Sequence, residues 1–213
     1  MSNLFICPSH DDVTAYLWHY CKELVEESEQ RGFDTLFKDK KNACFKIVIP
    51  IIQHKHPSFI MFNGHGSPDL ICGHNDEILI KYGQNHELLN RKLVYSLSCS
   101  SASVLGSLIG NDQTTFIGYT QEFAVGMDTN SQASIRRDNR AKLFLEPSNL
   151  LVKSLLKGNS AQKSIEKAKS LMRQNLSKLR TDTSPDAKDY VPFLFNNYLA
   201  LSLFGDAQRK IKK

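Results

Sequence analysis

Short apolar runs alternate with amphipathic or polar stretches along the chain, and the pattern predicts strands and helices in turn. Leu4-Phe5-Ile6-Cys7 reads as a first strand, and Ser9-His10-Asp11-Asp12 has the Ser-x-x-Asp spacing of a helix N-terminus. Val13, Tyr16, Leu17, Tyr20, Leu24 and Val25 then recur at three- and four-residue steps, fading near Glu29, with Gly32 placed as a stop. Phe33 to Phe37 partly alternates and reads as a second strand. Cys44 to Gln53 is apolar but contains Pro50, which disfavours a central strand and predicts a kinked helix.

Two later runs differ in what they lead into. Phe59-Ile60-Met61-Phe62 passes through Asn63 to Gly64-His65-Gly66-Ser67, and Leu93-Val94-Tyr95-Ser96-Leu97-Ser98 delivers Cys99 into Ser100-Ser101-Ala102-Ser103. Bounded apolar runs of this length predict buried strands, and ligands and catalytic groups collect at the carboxyl ends of parallel strands. Between them, Asp69 to Gly73 and Glu77 to Ile80 flank a His74-Asn75-Asp76 turn and predict a hairpin outside the main sheet.

Asn85 to Lys92 predicts a short helix, Ala102 to Ile109 an apolar helix ending at Gly110, and Thr115 to Tyr119 another strand. Residues 126–140 are polar and aperiodic, the pattern of a long exposed loop. A helix over Ala141–Leu156, interrupted near Pro147, and one over Ala161–Leu179 follow. Thr181 to Lys188 is a polar connection, Val191 to Asn197 is helical in pattern, and Tyr198 to Phe204 reads as a last strand closed by Gly205-Asp206. The expected fold class is α/β, a mainly parallel sheet flanked by helices on both faces, in one domain over residues 1–213.

Composition agrees with one domain: 213 residues at 41% hydrophobic content can bury one sizeable core. Met1 to Cys7 is too short for a signal peptide, and no apolar run approaches the roughly 18 residues of a membrane span. Five widely spaced cysteines, Cys7, Cys21, Cys44, Cys72 and Cys99, fit reduced thiols better than a disulfide framework. The expectation is a soluble, cytoplasmic protein with no membrane partner. Charge is uneven: residues 150–213 carry 13 Lys/Arg against 5 Asp/Glu, leaving a net −3 of the overall +5 for the rest. The basic helical region over 141–180 has no interleaved aromatics among the lysines after Ser160, which disfavours nucleic acid and favours a solvated helix face.

The chemistry concentrates at the two strand ends. A thiol attacks as thiolate, which at neutral pH needs a nearby cation or helix N-terminus. The small residues after Cys99 let the chain turn there, so the backbone N–H of Cys99 and that of Gly66 are the expected oxyanion donors. His65 would carry the proton to the leaving amine. Each residue has a plainer reading, Cys99 as a core thiol and His65 as a turn residue, with Asn63 and Ser67 either positioning His65 or capping the turn. His65, Cys72, His74 and Cys99 are zinc-compatible types without a compact ligand spacing, and His54-x-His56 reads as a solvated loop, so no metal site is expected. A serine hydrolase is disfavoured by the missing Gly-x-Ser-x-Gly elbow.

Asn63-Gly64-His65-Gly66, Ser98-Cys99-Ser100-Ser101-Ala102 and Leu203-Phe204-Gly205-Asp206 together resemble the motifs of caspase-like (clan CD) cysteine peptidases, and are most similar to the gingipain-like and CHAT-type branch. The resemblance spans most of the chain. It implies a caspase-like three-layer sandwich and a cysteine endopeptidase with His65 and Cys99 as a catalytic dyad. It also implies a thioester acyl-enzyme, a protein substrate and no cofactor. Leu97, Tyr119, Gln121 and Glu122 would be the substrate-binding residues, with Glu122 either pairing with a basic side chain or standing as an exposed loop carboxylate. The Gln-Ala-Cys-x-Gly signature of caspases is absent, and His65 precedes Cys99 by 34 residues rather than the roughly 50 of caspases proper. Leu97 stands where relatives that cleave after Arg or Lys often carry an acid, so the resemblance does not transfer their specificity. Regulation by a protein partner or by cleavage of the 126–140 loop is a further expectation. The alternative is a non-catalytic caspase-fold scaffold that binds a partner.

Overall fold

The computed structural model describes residues 2–127 and 135–212. Six strands form the main sheet in the order β2 (Asp34–Asp39), β1 (Ser2–Cys7), β3 (Phe59–Asn63), β7 (Leu93–Leu97), β8 (Thr115–Tyr119) and β9 (Leu201–Phe204). Every pairing is parallel except the last, where β9 runs antiparallel to β8. A second, three-stranded antiparallel sheet comprises β4 (Gly66–Ser67), β5 (Leu70–Cys72) and β6 (Ile78–Lys81). It is the predicted hairpin with one short strand added.

Period-two alternation divides the strand side chains between two cores. Phe5, Cys7, Phe59, Met61, Tyr95 and Ile117 face α1 (Asp12–Gln30), α4 (Asn139–Leu156) and α5 (Ala161–Thr181). Leu4, Ile6, Ile60, Phe62, Val94 and Phe116 face α2 (Phe45–Lys55), the small sheet and a π-helical turn, Ala102–Gly106, that runs into α3 (Ser107–Ile109). The architecture is therefore the expected three-layer α/β sandwich.

Several predicted elements are corrected. The first helix is capped at Asp11 rather than Ser9: Asp11 and Thr14 form a reciprocal capping box, and Gly32 lies beyond the C-cap at φ +76°. The helix predicted to break at Pro147 is continuous. Proline removes the N–H that would reach the Leu143 carbonyl, and Asn175 of α5 supplies the replacement donor at 2.9 Å. Tyr198 to Ala200 end the helix α6 (Tyr190–Ala200), so the last strand keeps only Leu201–Phe204. Residues 86–89 form a 3₁₀ turn in place of the short helix. Cys7 and Cys21 are joined by a disulfide, against the expectation of five reduced thiols, because β1 ends facing the buried side of α1; Cys44, Cys72 and Cys99 are free. Residues 128–134 of the 126–140 loop lie outside the described residues; after them come a 3₁₀ turn, Ile135–Arg137, and from Asn139 the start of α4, so the last part of the expected loop is helical.

Candidate active site

From β1 the chain turns to β2 on one side, and from β3 it proceeds to β7 on the other. The carboxyl ends of β1 and β3 therefore flank a topological switch point, where open α/β sheets form their crevices. His10 and Asp11 follow β1, His65 follows β3, and Cys99 follows β7.

Register places the His65 and Cys99 turns together. Asn63 of β3 is opposite Leu97 of β7, and the Gly64 N–H reaches the Leu97 carbonyl at 3.4 Å. Gly66 packs so closely on the second turn that a Cβ there would stand 2.9 Å from Ser98 Cβ and 3.4 Å from the Cys99 carbonyl oxygen. Only glycine allows this approach.

His65 is tethered by a residue from a third strand end. Its Nε2 lies 2.7 Å from Asp11 Oδ2, while Asp11 Oδ1 accepts the Thr14 N–H at 2.7 Å, so one carboxylate both caps α1 and holds the imidazole. Burial alone would raise the Asp11 carboxyl, but the Thr14 N–H, Thr14 hydroxyl and His65 ring outweigh it and hold the group at about 2. With the Nε2 proton given to Asp11, Nδ1 is the basic nitrogen left over. Asn63 donates to the Leu17 carbonyl and Ser67 to Asp69, so neither holds His65.

The Cys99 side is arranged differently. Ser100 takes a left-handed φ of +55° and donates its N–H to the Gln121 carbonyl at 3.0 Å. The Pro68 carbonyl accepts the N–H groups of Val104 and Leu105 at 3.2 and 2.8 Å. Cys99 Sγ is turned to the Phe123 carbonyl at 3.8 Å, and no hydrogen bond joins it to His65. Burial pushes the thiol up, and the Glu122 carboxylate adds to the rise. Backbone hydrogen bonding at Phe123 and at Cys99 itself works the other way but is outweighed, so the thiolate stabilisation expected from the turn does not prevail in this conformation.

This fold is similar to that of two solved structures. One is the complex of Porphyromonas gingivalis RgpB pro- and mature domains, with a TM-score of 0.62 and 11% identity over 99% of this chain and 48% of that one. The other is the Arg specific cysteine proteinase gingipain R (RGPB), with a TM-score of 0.63 and 10% identity over 99% of this chain and 47% of that one. The chain has the caspase-like fold of gingipain R. It spans about half the length of each of these structures. No family model and no curated protein matches it.

On this gingipain-like frame the expected groove residues separate into two pairs. Leu97 and Tyr119 are buried in the core, Tyr119 against the Phe123 ring at 4.7 Å, because inward positions of β7 and β8 face α4 and α5. That corrects their assignment to substrate contact. Gln121 and Glu122 are exposed beside the Cys99 turn, Gln121 through the bond to Ser100 and Glu122 through its effect on the thiol.

Sequence reasoning missed Asp11 and the cluster around it. His10 Nε2 lies 3.5 Å from Asp11 Oδ2 and 3.4 Å from Asp76 Oδ1. The His10 ring packs edge-on against His65 and His74, with centroids 5.8 and 5.3 Å away. The available signal is positional: Ser9-His10-Asp11-Asp12 also follows a strand, but the same residues fit a helix start, and that role accounts for Asp11 without a second one.

Proposed function

We propose that the chain is a cysteine endopeptidase in which Cys99 is the nucleophile, His65 the general acid and base, and Asp11 the residue that orients His65. The supporting observation is the packing of Gly66 on Ser98 and Cys99, which seats the two turns side by side at adjacent strand ends. In the reaction, His65 takes the Cys99 proton and the sulfur bonds to the substrate carbonyl carbon. The oxyanion is received by the N–H groups of Cys99 and Gly66. Collapse expels the amine with a proton from His65 and leaves a thioester, which water then hydrolyses. The substrate class is an extended protein segment lying past Gln121 and Glu122, with Glu122 facing a basic side chain. Cys99→Ala is expected to abolish peptide cleavage, a loss of at least about 10³-fold, and labelling by a thiol-reactive peptide probe. Cleavage retained by that variant overturns the proposal.

The raised thiol and its missing bond to His65 mean that catalysis requires a rearrangement. Phe123, which holds the sulfur, leads directly into the 126–140 loop, so cutting that loop or docking a regulatory partner there frees Cys99. Full activity from a chain of intact mass, without a partner, would rule this out. The same observations support a second reading, a non-catalytic scaffold; it predicts a Cys99 that stays unlabelled at neutral pH even with a partner bound. A cytoplasmic location belongs to the first proposal. Finding the Cys7–Cys21 bond in chain alkylated at lysis would place it in oxidising surroundings instead. No helix among the described residues is long and apolar enough to cross a membrane.

A further inference from the structure

The crevice between the ends of β1 and β3 holds more nitrogen and oxygen donors than a dyad uses. One ligand atom from each of His10, His65 and Asp76 lies within 4.8 Å of the other two. We propose that these three side chains form a binding site for a zinc-class divalent cation, with the Asp11 carboxylate beside it.

Distances, burial and donor chemistry support the site. A tetrahedral zinc with bonds of about 2.0–2.2 Å holds neighbouring ligand atoms about 3.4 Å apart. His10 Nε2 already stands 3.4 Å from Asp76 Oδ1. This separation is long for a hydrogen bond and right for the edge of a coordination shell. The His10 side chain is 11% exposed, and both of its ring nitrogens are buried without a hydrogen-bond partner. Buried imidazole nitrogens normally have partners, and a cation would supply one to His10. Nδ1 of the neighbouring His74 is likewise buried without a partner, although that ring also packs on His10. Asp76 is 63% exposed and opens the site to solvent. Two imidazoles and a carboxylate suit zinc and its first-row neighbours, whereas calcium and magnesium take all-oxygen sets.

A cation here takes the His65 lone pair that the proposed peptidase needs, so it acts as an inhibitor; this consequence, unlike the site, rests on the peptidase reading. Metal-free chain carrying Cys99→Ala, titrated with Co²⁺, is expected to bind one ion with the visible bands of a tetrahedral nitrogen–oxygen set, and Zn²⁺ to displace it. His10→Asn and Asp76→Asn, each confirmed folded by circular dichroism, are expected to weaken binding by about 100-fold. Absence of stoichiometric binding, or an affinity within about tenfold of the parent in either variant, overturns the site. The titrated chain has no nucleophile. Failure to bind cobalt therefore leaves the peptidase proposal standing, and an inactive wild type leaves the site standing.

Discussion

The two turns at the centre of the crevice are prepared to different degrees. At the His65 turn, a carboxylate held at about 2 is already bonded to the imidazole and fixes which nitrogen is free. At the Cys99 turn the thiol is pushed up, its sulfur faces a carbonyl, and nearby amides are given to Gln121 and Pro68. On the proposed peptidase reading the base is set and the nucleophile is not, which places control on the sulfur side, at the contact with Phe123, and leaves the acid–base pair constant.

Asp11→Asn puts the greatest load on this contrast. Asparagine caps a helix about as well as aspartate, so the fold should hold with stability lowered by no more than about 1 kcal/mol, while kcat falls about 100-fold or more, as when an orienting carboxylate is removed from a nucleophile–His–acid site. Unchanged kcat in the activated enzyme would make the bond at the His65 turn merely structural. The next test is acid stability. The Asp11 carboxyl is depressed from its usual 3.8 to about 2. Its contribution is therefore fully present above about pH 4 and lost as pH falls through 2. Since the side chain is 39% exposed, solvent screening limits the effect to about 1 kcal/mol. Chemical denaturation of wild type and Asp11→Asn should show the gap between them closing over that window. The smallest effect belongs to the sulfur side. Glu122→Gln removes a negative charge that raises the thiol, so alkylation of Cys99 at neutral pH should quicken about two- to threefold; a slower rate would show that Glu122 does not act on the sulfur.

Much of the fold was legible because the strands are buried on both faces and read as continuous apolar runs, as Phe59 to Phe62 and Leu93 to Leu97 do. The strand-end rule then pointed to His65 and Cys99. What stayed hidden depended on partners distant in sequence. Pro147 reads as a break until Asn175 appears opposite the Leu143 carbonyl. Tyr119 and Leu97 sit next to the chemistry in sequence but point into the core, because a strand's alternate residues change face. Asp11 lies 54 residues before His65, and Asp76 reaches His10 from the turn between β5 and β6. Such long-range polar pairs leave no periodic trace in a single chain.

The Pro68 carbonyl, which accepts the amides of Val104 and Leu105, ties the hairpin sheet to the helical turn beyond Cys99. Gly66, two residues earlier, is wedged against Ser98. With the hairpin fastened at both points, a load applied at its Pro68 end, where Lys81 pairs with Leu70 and the Tyr82 N–H reaches the Asp69 carbonyl at 2.8 Å, would pass to the turn beyond Cys99 without crossing the main sheet.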